Sequence, residues 1–582
     1  MMKRLFNTAL ASMLVLNFTG CALAQPAATT EEPEVETTTV DVDTAADTAK
    51  STSDPISSVI AGAAERVSDA LSEPADVMVE EYAMAEADMV DGGMVFNEPM
   101  ASVAMSTIYE PEESYVQYQE FNTEEYDYQE ENPFMSTSAS PLSTFAADVD
   151  TASYANLRRQ ILDYGYVTPD SARIEEMVNY FHYNLPEPEG NEPFSVTTEI
   201  APCPWNDDTD LLMIGLQAKK LDTREMPQSN LVFLIDVSGS MDEPKKLPLV
   251  QRSFMTLVEN LDDNDKVSIV TYSSGEEVIL DGESGKNKEA IMSAIESLYA
   301  SGSTYGEKAI NMAYDLAAKH FIKGGNNRVL MATDGDFNVG ASSESELTRL
   351  IKDEAKDGVF LSILGYGMGN YKDSKLESMA DNGNGNYAYI DSVDEARKVL
   401  VSEAGGTLFT VAKDVKLQVD FNPSKIKGYR LIGYENRTMA AEDFADDTKD
   451  GGEIGAGHQV IALYEIVPVD SEFEIPSVSS KYAAPSPDNN SAELLTVNIR
   501  YKEPEGDTST LLEYPVTDEN RQEEMSENMS WAAGVAQAGM LMKQSQYAGT
   551  SDIDSIRERL RNITNSDDFR EEFVYLLRKW NP

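Results

Sequence analysis

Between Ser229 and Gly405, five apolar runs of strand length alternate with five amphipathic stretches of helix length, an order that few architectures accommodate. The runs are Leu231–Ile235, Val267–Tyr272, Val329–Ala332, Val359–Leu364 and Tyr387–Ile390. Between them lie Leu247–Leu261, Lys288–Leu298, Gly306–Phe321, Glu344–Ala355 and Ser374–Ala380. Apolar runs without polar alternation suit strands buried on both faces. Strands separated by helices predict a doubly wound, mostly parallel α/β sheet over residues 229–405. Ligand sites in such sheets lie just beyond the carboxyl ends of the strands, so the residues that follow each run carry the functional reading.

Asp236-Val237-Ser238-Gly239-Ser240 follows the first run at once. Ser301-Gly302-Ser303-Thr304 precedes the helical stretch that starts near Gly306, and Thr333-Asp334-Gly335-Asp336 closes the Val329–Ala332 run. All three segments are expected at one sheet edge. Hydroxyls and carboxylates together there suit Mg²⁺, which wants oxygen donors in an octahedron and keeps several of its waters. Ser238, Ser240 and Thr304 can supply neutral direct ligands, while Asp236 and Asp334 hold bound waters from behind. The ion stays underneutralised, with one position open to a carboxylate from outside. Helix and turn capping is the competing reading for each of these side chains, but capping does not require five of them to converge.

The three segments, in this order and in these contexts, resemble the metal-ion-dependent adhesion site of the von Willebrand factor type A (vWA) domain. The resemblance covers residues 229–405 and implies a Rossmann-like fold. It implies a divalent ion at Asp236, Ser238, Ser240, Thr304 and Asp334, with Mg²⁺ first and Mn²⁺ or Ca²⁺ as substitutes, and capture of a protein partner's Asp or Glu. The flanks resemble one exported bacterial branch of this family. Phe145-Ala-Ala-Asp-Val-Asp-Thr-Ala-Ser-Tyr154 through Trp205 is similar to its N-terminal accessory region, and 407–582 to its C-terminal extension.

Charge and composition exclude other classes. Asp and Glu number 102 against 45 Lys and Arg, a net −57 that repels nucleic acid phosphates. Cys21 and Cys203 are too few for a disulfide framework or a four-cysteine zinc site, and His182, His320 and His458 are too far apart for a helix-borne zinc pair. No phosphate-binding Gly-x-x-x-x-Gly-Lys, no Gly-x-Ser-x-Gly elbow and no His-Glu-x-x-His is present.

The N-terminus reads as an address. Lys3 and Arg4 precede the apolar run Leu5–Phe18, and residues 1–24 form a secretory signal. Phe18-Thr19-Gly20-Cys21 resembles a bacterial lipobox, which implies cleavage before a lipidated Cys21; with Ala22 next, the usual sorting pattern implies the outer membrane. Ala22-Leu23-Ala24 also permits cleavage after Ala24, which would leave a secreted soluble protein. Residues 25–140 hold 27 acids against Lys50 and Arg66, so they self-repel and are expected to form a disordered acidic spacer.

Folded sequence is expected from 141. Residues 141–228 read as helices followed by strands over 194–218, with Asp148, Asp150 or Thr151 capping the helix Ala152–Tyr164. Residues 406–582 read as antiparallel strands, among them Val415–Phe421, Gln459–Ile466 and Leu495–Tyr501. The 194–218 strands are expected to join these in a β-sandwich. Helices over Ser526–Met542, Ile553–Ile563 and Phe569–Trp580 follow. The expected function is adhesion or complex assembly at the cell envelope rather than catalysis. The alternatives are metal-assisted hydrolysis of an envelope polymer, with Asp242 or Asp336 as base, and a purely structural ion.

Overall fold

The protein is described by a computed structural model covering residue 124 and residues 126–581, apart from 148–149, 191, 222–225, 305, 336–343, 369–372, 450, 476–490, 505, 507 and 564–565. The signal segment, Cys21, most of the expected spacer, Asp148 and Asp336 lie outside the described residues.

The α/β domain is built as the periodicity predicts. Its six strands lie in the order Tyr387–Ile390, Phe360–Tyr366, Asn326–Thr333, Ser229–Asp236, Lys266–Tyr272, Glu276–Ser284. All neighbours are parallel except the last pair, in which the edge strand Glu276–Ser284 runs antiparallel. The four strands nearest the centre bury nearly every residue because helices cover both faces, with separate apolar cores on either side of the sheet. The expected helix boundaries hold within a few residues: Leu247–Glu259, Lys288–Glu296, Glu307–Lys319, Glu344–Lys356 and Asp373–Asn382.

The flanks interleave. One sandwich sheet runs Met135–Ser136, Ile426–Ile432, Gln459–Pro468, Asp210–Ala218, Phe194–Pro202, so three strands from before the α/β domain flank two from after it. The other sets Leu142–Ala146 beside Thr410–Phe421, which pairs in turn with Glu493–Lys502 and then Ser509–Thr517. An apolar core fills the space between them. The helices Glu527–Lys543, Ile553–Arg561 and Asp568–Lys579 pack with Ala152–Tyr164 and Ile174–Asn179 on the outer face of the first sheet. Gln459–Pro468 is therefore buried on both sides.

Two expectations change. Residues from Glu124 onward belong to the folded body and not to the spacer. Glu124 meets Arg159 at 3.0 Å, Asn132 donates to the Gly433 carbonyl at 2.8 Å, and Met135–Ser136 adds a strand edge. Glu124, one of the acids expected to repel its neighbours, is held instead by an arginine of the first long helix, and Glu131 accepts from the Ser545 hydroxyl. Nor does Thr151 or Asp150 cap the Ala152–Tyr164 helix. Glu176 accepts from the Ser153 amide at 2.8 Å, while Asp150 accepts from the Tyr387 amide at 2.9 Å and from Arg437 at 3.1 Å.

That second change exposes a buried ion network joining all three regions. Arg173 binds Glu176 at 3.0 Å and also Glu377 on the Asp373–Asn382 helix. Arg437 from the sandwich region holds Glu377 at 3.1 Å, Asp381 at 2.6 Å and Asp150. Burial pushes the Glu176 carboxyl up to about 7; Arg173 opposes this and Glu377 reinforces it. The folded state thus favours protonated Glu176, whose contribution is complete below about pH 4.3 and is lost as pH rises through 7. Glu176→Gln keeps the acceptor for Ser153 and removes the ionisation. Its unfolding free energy should fall less between pH 5 and 8 than that of the parent chain, by on the order of 2 kcal/mol in urea titrations. Parallel pH curves for the two proteins would refute this.

Candidate functional site

Ser229–Asp236 is the first strand of the sheet and lies at its middle, flanked on one side by Lys266–Tyr272 and on the other by Asn326–Thr333. The chain departs to one neighbour and returns on the other, so a crevice opens at the carboxyl end between these strands. Asp236 ends Ser229–Asp236 and Asp334 follows Asn326–Thr333; both are fully buried.

The loop after Asp236 turns tightly. Asp236 Oδ1 accepts from the Ser238 amide at 2.8 Å, and Met241 N–H donates to the Ser238 carbonyl at 3.0 Å, closing one helical turn over Gly239–Met241. This turn brings the Ser238 and Ser240 hydroxyls to 3.1 Å. The Thr304 loop is stitched to it by Gly239 N–H donating to the Gly302 carbonyl at 2.9 Å and Ser301 N–H to the Val237 carbonyl at 2.8 Å. Glycine is needed at 302, where φ is +80° and a Cβ would sit 2.4 Å from Ser274 Oγ. Thr304 follows this stitched segment, with its side chain half-buried.

The electrostatics are those of crowded, buried acids. Asp236 Oδ2 is buried and, among the described residues, makes no hydrogen bond of normal geometry, although the Tyr272 hydroxyl faces this carboxyl and favours its ionised form. Burial pushes the Asp236 carboxyl up to about 7; Ser238 pulls it down through two hydrogen bonds and Asp334 pushes it up as a like charge. Two buried carboxylates beside paired hydroxyls form a hard oxygen donor set that fits a small divalent ion. Asp236, Ser238, Ser240 and Asp334 are brought together, with Thr304 on the adjoining loop. Among the described residues no group of three or more His, Cys, Asp and Glu side chains suits a metal, so the hydroxyls set this site apart from the usual carboxylate or imidazole cluster. Asp242 is exposed.

One participant was not legible in the sequence. Lys246 is buried, and its Nζ donates to Asp334 Oδ2 at 3.1 Å and to the Ser240 carbonyl at 2.9 Å. Six residues beyond Ser240, across a helical turn, it belongs to no motif spacing. Cys203 is inert: burial and the nearby Glu465 push its thiol up to about 12. Trp580 packs in the helical core. No described helix is long and apolar enough to cross a membrane.

Comparison with known proteins gives matches along most of the described chain. Residues 230–401 match the von Willebrand factor type A domain family, 120–213 a family described as von Willebrand factor, and 406–581 the C-terminal family of YfbK. The Escherichia coli (strain K12) protein YfbK is 41% identical over 471 residues, covering 78% of this chain and 80% of its own. The Synechocystis protein sll0103 is 28% identical over 188 residues, covering 32% of this chain and 43% of its own. Among solved structures, a von Willebrand factor type A protein from Catenulispora acidiphila aligns at 15% identity and a TM-score of 0.38, over 68% of this chain and 91% of that one.

Proposed function

Because the chain belongs to the family of Escherichia coli YfbK and carries a vWA domain over residues 230–401, we propose that it is a cell-envelope binding protein whose vWA domain captures a protein partner's Asp or Glu through a divalent ion. Interaction or adhesion is the general business of the domain; metal-dependent capture is the specific reading. The convergence of the buried Asp236 and Asp334 carboxylates with the paired Ser238 and Ser240 hydroxyls at the sheet's switch point carries it. Ser238, Ser240 and Thr304 would hold the ion directly, with Asp236 and Asp334 behind through water. Mg²⁺ suits this set, and Mn²⁺ or Ca²⁺ would substitute. An ion with mostly neutral direct donors keeps Lewis acidity for an incoming carboxylate.

The chain's own residues supply the geometry. The Asp236 to Ser238 turn aims the hydroxyls, and the Gly239 to Gly302 contact fixes the second loop against the first. Export by residues 1–24, lipidation at Cys21 with outer-membrane sorting, and suspension on an acidic spacer complete the reading; release after Ala24 would instead give a soluble form. Hydrolysis would need a base beside the ion; of the two candidates Asp242 is exposed and Asp336 lies outside the described residues.

Pull-down from bacterial envelope extracts should retain one or more proteins in MgCl₂ and release them in EDTA, with Ser240→Ala capturing none. Equal capture with and without EDTA would overturn metal-dependent binding. Chelation that lowers thermal stability but leaves capture intact would point to a purely structural ion, and turnover of an envelope polymer by the parent chain but not by the variant would point to the hydrolase.

A further inference from the structure

The cradle already contains a positive charge of its own. Lys246 is 3% exposed, unusual for a lysine, and its Nζ reaches Asp334 Oδ2 and the Ser240 carbonyl. Glu243, half exposed, touches the same ammonium from outside at 3.3 Å. The stem is fixed as well as the head. Gly367 ends the neighbouring strand edge at φ +78°, and a Cβ there would stand 2.5 Å from Lys246 Cγ and Cε, so the methylenes pass directly over its backbone. The backbone of Lys246 opens the Leu247–Glu259 helix, with Leu249 and Val250 N–H donating to its carbonyl at 2.8 and 2.9 Å. A side chain held at both ends is pre-set for its task rather than drawn in by chance.

Charge accounting gives the task. With an ion bound, Asp236 and Asp334 are ionised and bring −2 to the buried floor of the site, beneath the exposed Ser240. A divalent ion alone would make it neutral, leaving little to attract another carboxylate. Counted over the buried groups, the Lys246 ammonium takes the loaded site to +1, while the half-exposed Glu243 outside it is screened by solvent. The same ammonium repels the arriving cation, so the donor set is held below its intrinsic affinity.

We propose that Lys246 is a resident counter-charge of this site: its ammonium on Asp334 loosens the divalent ion and leaves the loaded site net positive toward an incoming carboxylate. It is a positioning residue, acting through Asp334 and the ion. The inference rests on the metal-site reading above, and its test separates the two.

Lys246→Gln removes the charge and keeps a donor for Asp334; Lys246→Met removes both. Mn²⁺ affinity is measured by calorimetry on the full chain. Acetate, as the carboxylate probe, is then titrated into Mn²⁺-loaded protein and read by water-proton relaxation as inner-sphere water is displaced. The expected result has opposite signs: Mn²⁺ binds about tenfold more tightly to both variants, while the acetate midpoint rises at least threefold. A merely structural lysine would weaken both, and weaker or unchanged Mn²⁺ binding by folded variants overturns the proposal. If the variants fold only when Mn²⁺ is added, the carboxylates need one positive charge from either source and the proposal stands; variants unfolded even with Mn²⁺ sink it. Absence of Mn²⁺ uptake by the parent chain would sink the metal-site reading itself.

Discussion

Titration of Mg²⁺ or Mn²⁺ into the double variant Ser238→Ala/Ser240→Ala should give no saturable uptake and no rise in thermal midpoint, where the parent chain gives both. The two hydroxyls stand 3.1 Å apart at the mouth of a crevice whose carboxylates are fully buried, so they are the donors through which an ion would enter. Ion binding at 100 times the dissociation constant is worth about 2.7 kcal/mol of stability, and the variant should lose all of it. The fold itself should barely notice. Ser238 makes no side-chain cap to the Gly239–Met241 turn, and the two hydroxyls bond to each other and, from Ser238, to the Asp236 carboxyl, so on the order of 1 kcal/mol is at stake without metal. A variant that retains the parent's Mn²⁺ affinity would show that these hydroxyls do not hold the ion.

Arg158→Met should cost about 3–5 kcal/mol, the largest stability effect expected of any single substitution considered. Arg158 lies on the Ala152–Tyr164 helix, and its guanidinium is satisfied on every side. It donates to Asp391 at 2.8 Å and Glu395 at 2.7 Å from the end of the α/β domain, to Glu572 at 3.0 Å from the last helix, and to the Tyr180 hydroxyl at 3.1 Å. Burial already pushes the Asp391 carboxyl up, with Arg158 as the main opposing influence. Without the guanidinium, three carboxylates face one another, two of them buried. The three tryptophans, Trp205, Trp531 and Trp580, all sit in the helical core on the sandwich's outer face, so urea unfolding followed by fluorescence reports on the region this arginine anchors. A shift under about 1 kcal/mol would mean that the cluster is dispensable.

The same helix shows why some of this architecture is invisible in sequence. Every residue from Ala152 to Ile161 is buried, because Ala152 and Ala155 face the α/β core while Tyr154, Leu157 and Ile161 face the helical one. A helix enclosed by two cores shows no polar stripe, and Arg158 reads as a surface charge until its carboxylate partners, 233 to 414 positions away, are in place. The antiparallel edge strand Glu276–Ser284 escaped for the opposite reason: half of it faces water, so it shows neither an apolar run nor clean alternation.

Local chemistry in the chain itself was enough to specify the alternation of strands and helices from 229 to 405, the placement of Asp236, Ser238, Ser240, Thr304 and Asp334 just past strand or loop ends, and the three closing helices. Burial period and turn geometry act over a few residues, and they survive in any fold that keeps those segments. Tertiary structure alone decided that Leu142–Ala146 pairs with Thr410–Phe421, that Glu124 docks on Arg159, and that Lys246 reaches Asp334. Each of these joins groups whose separation along the chain carries no period, and each depends on burial, which strengthens an ion pair only once the rest of the fold has excluded water.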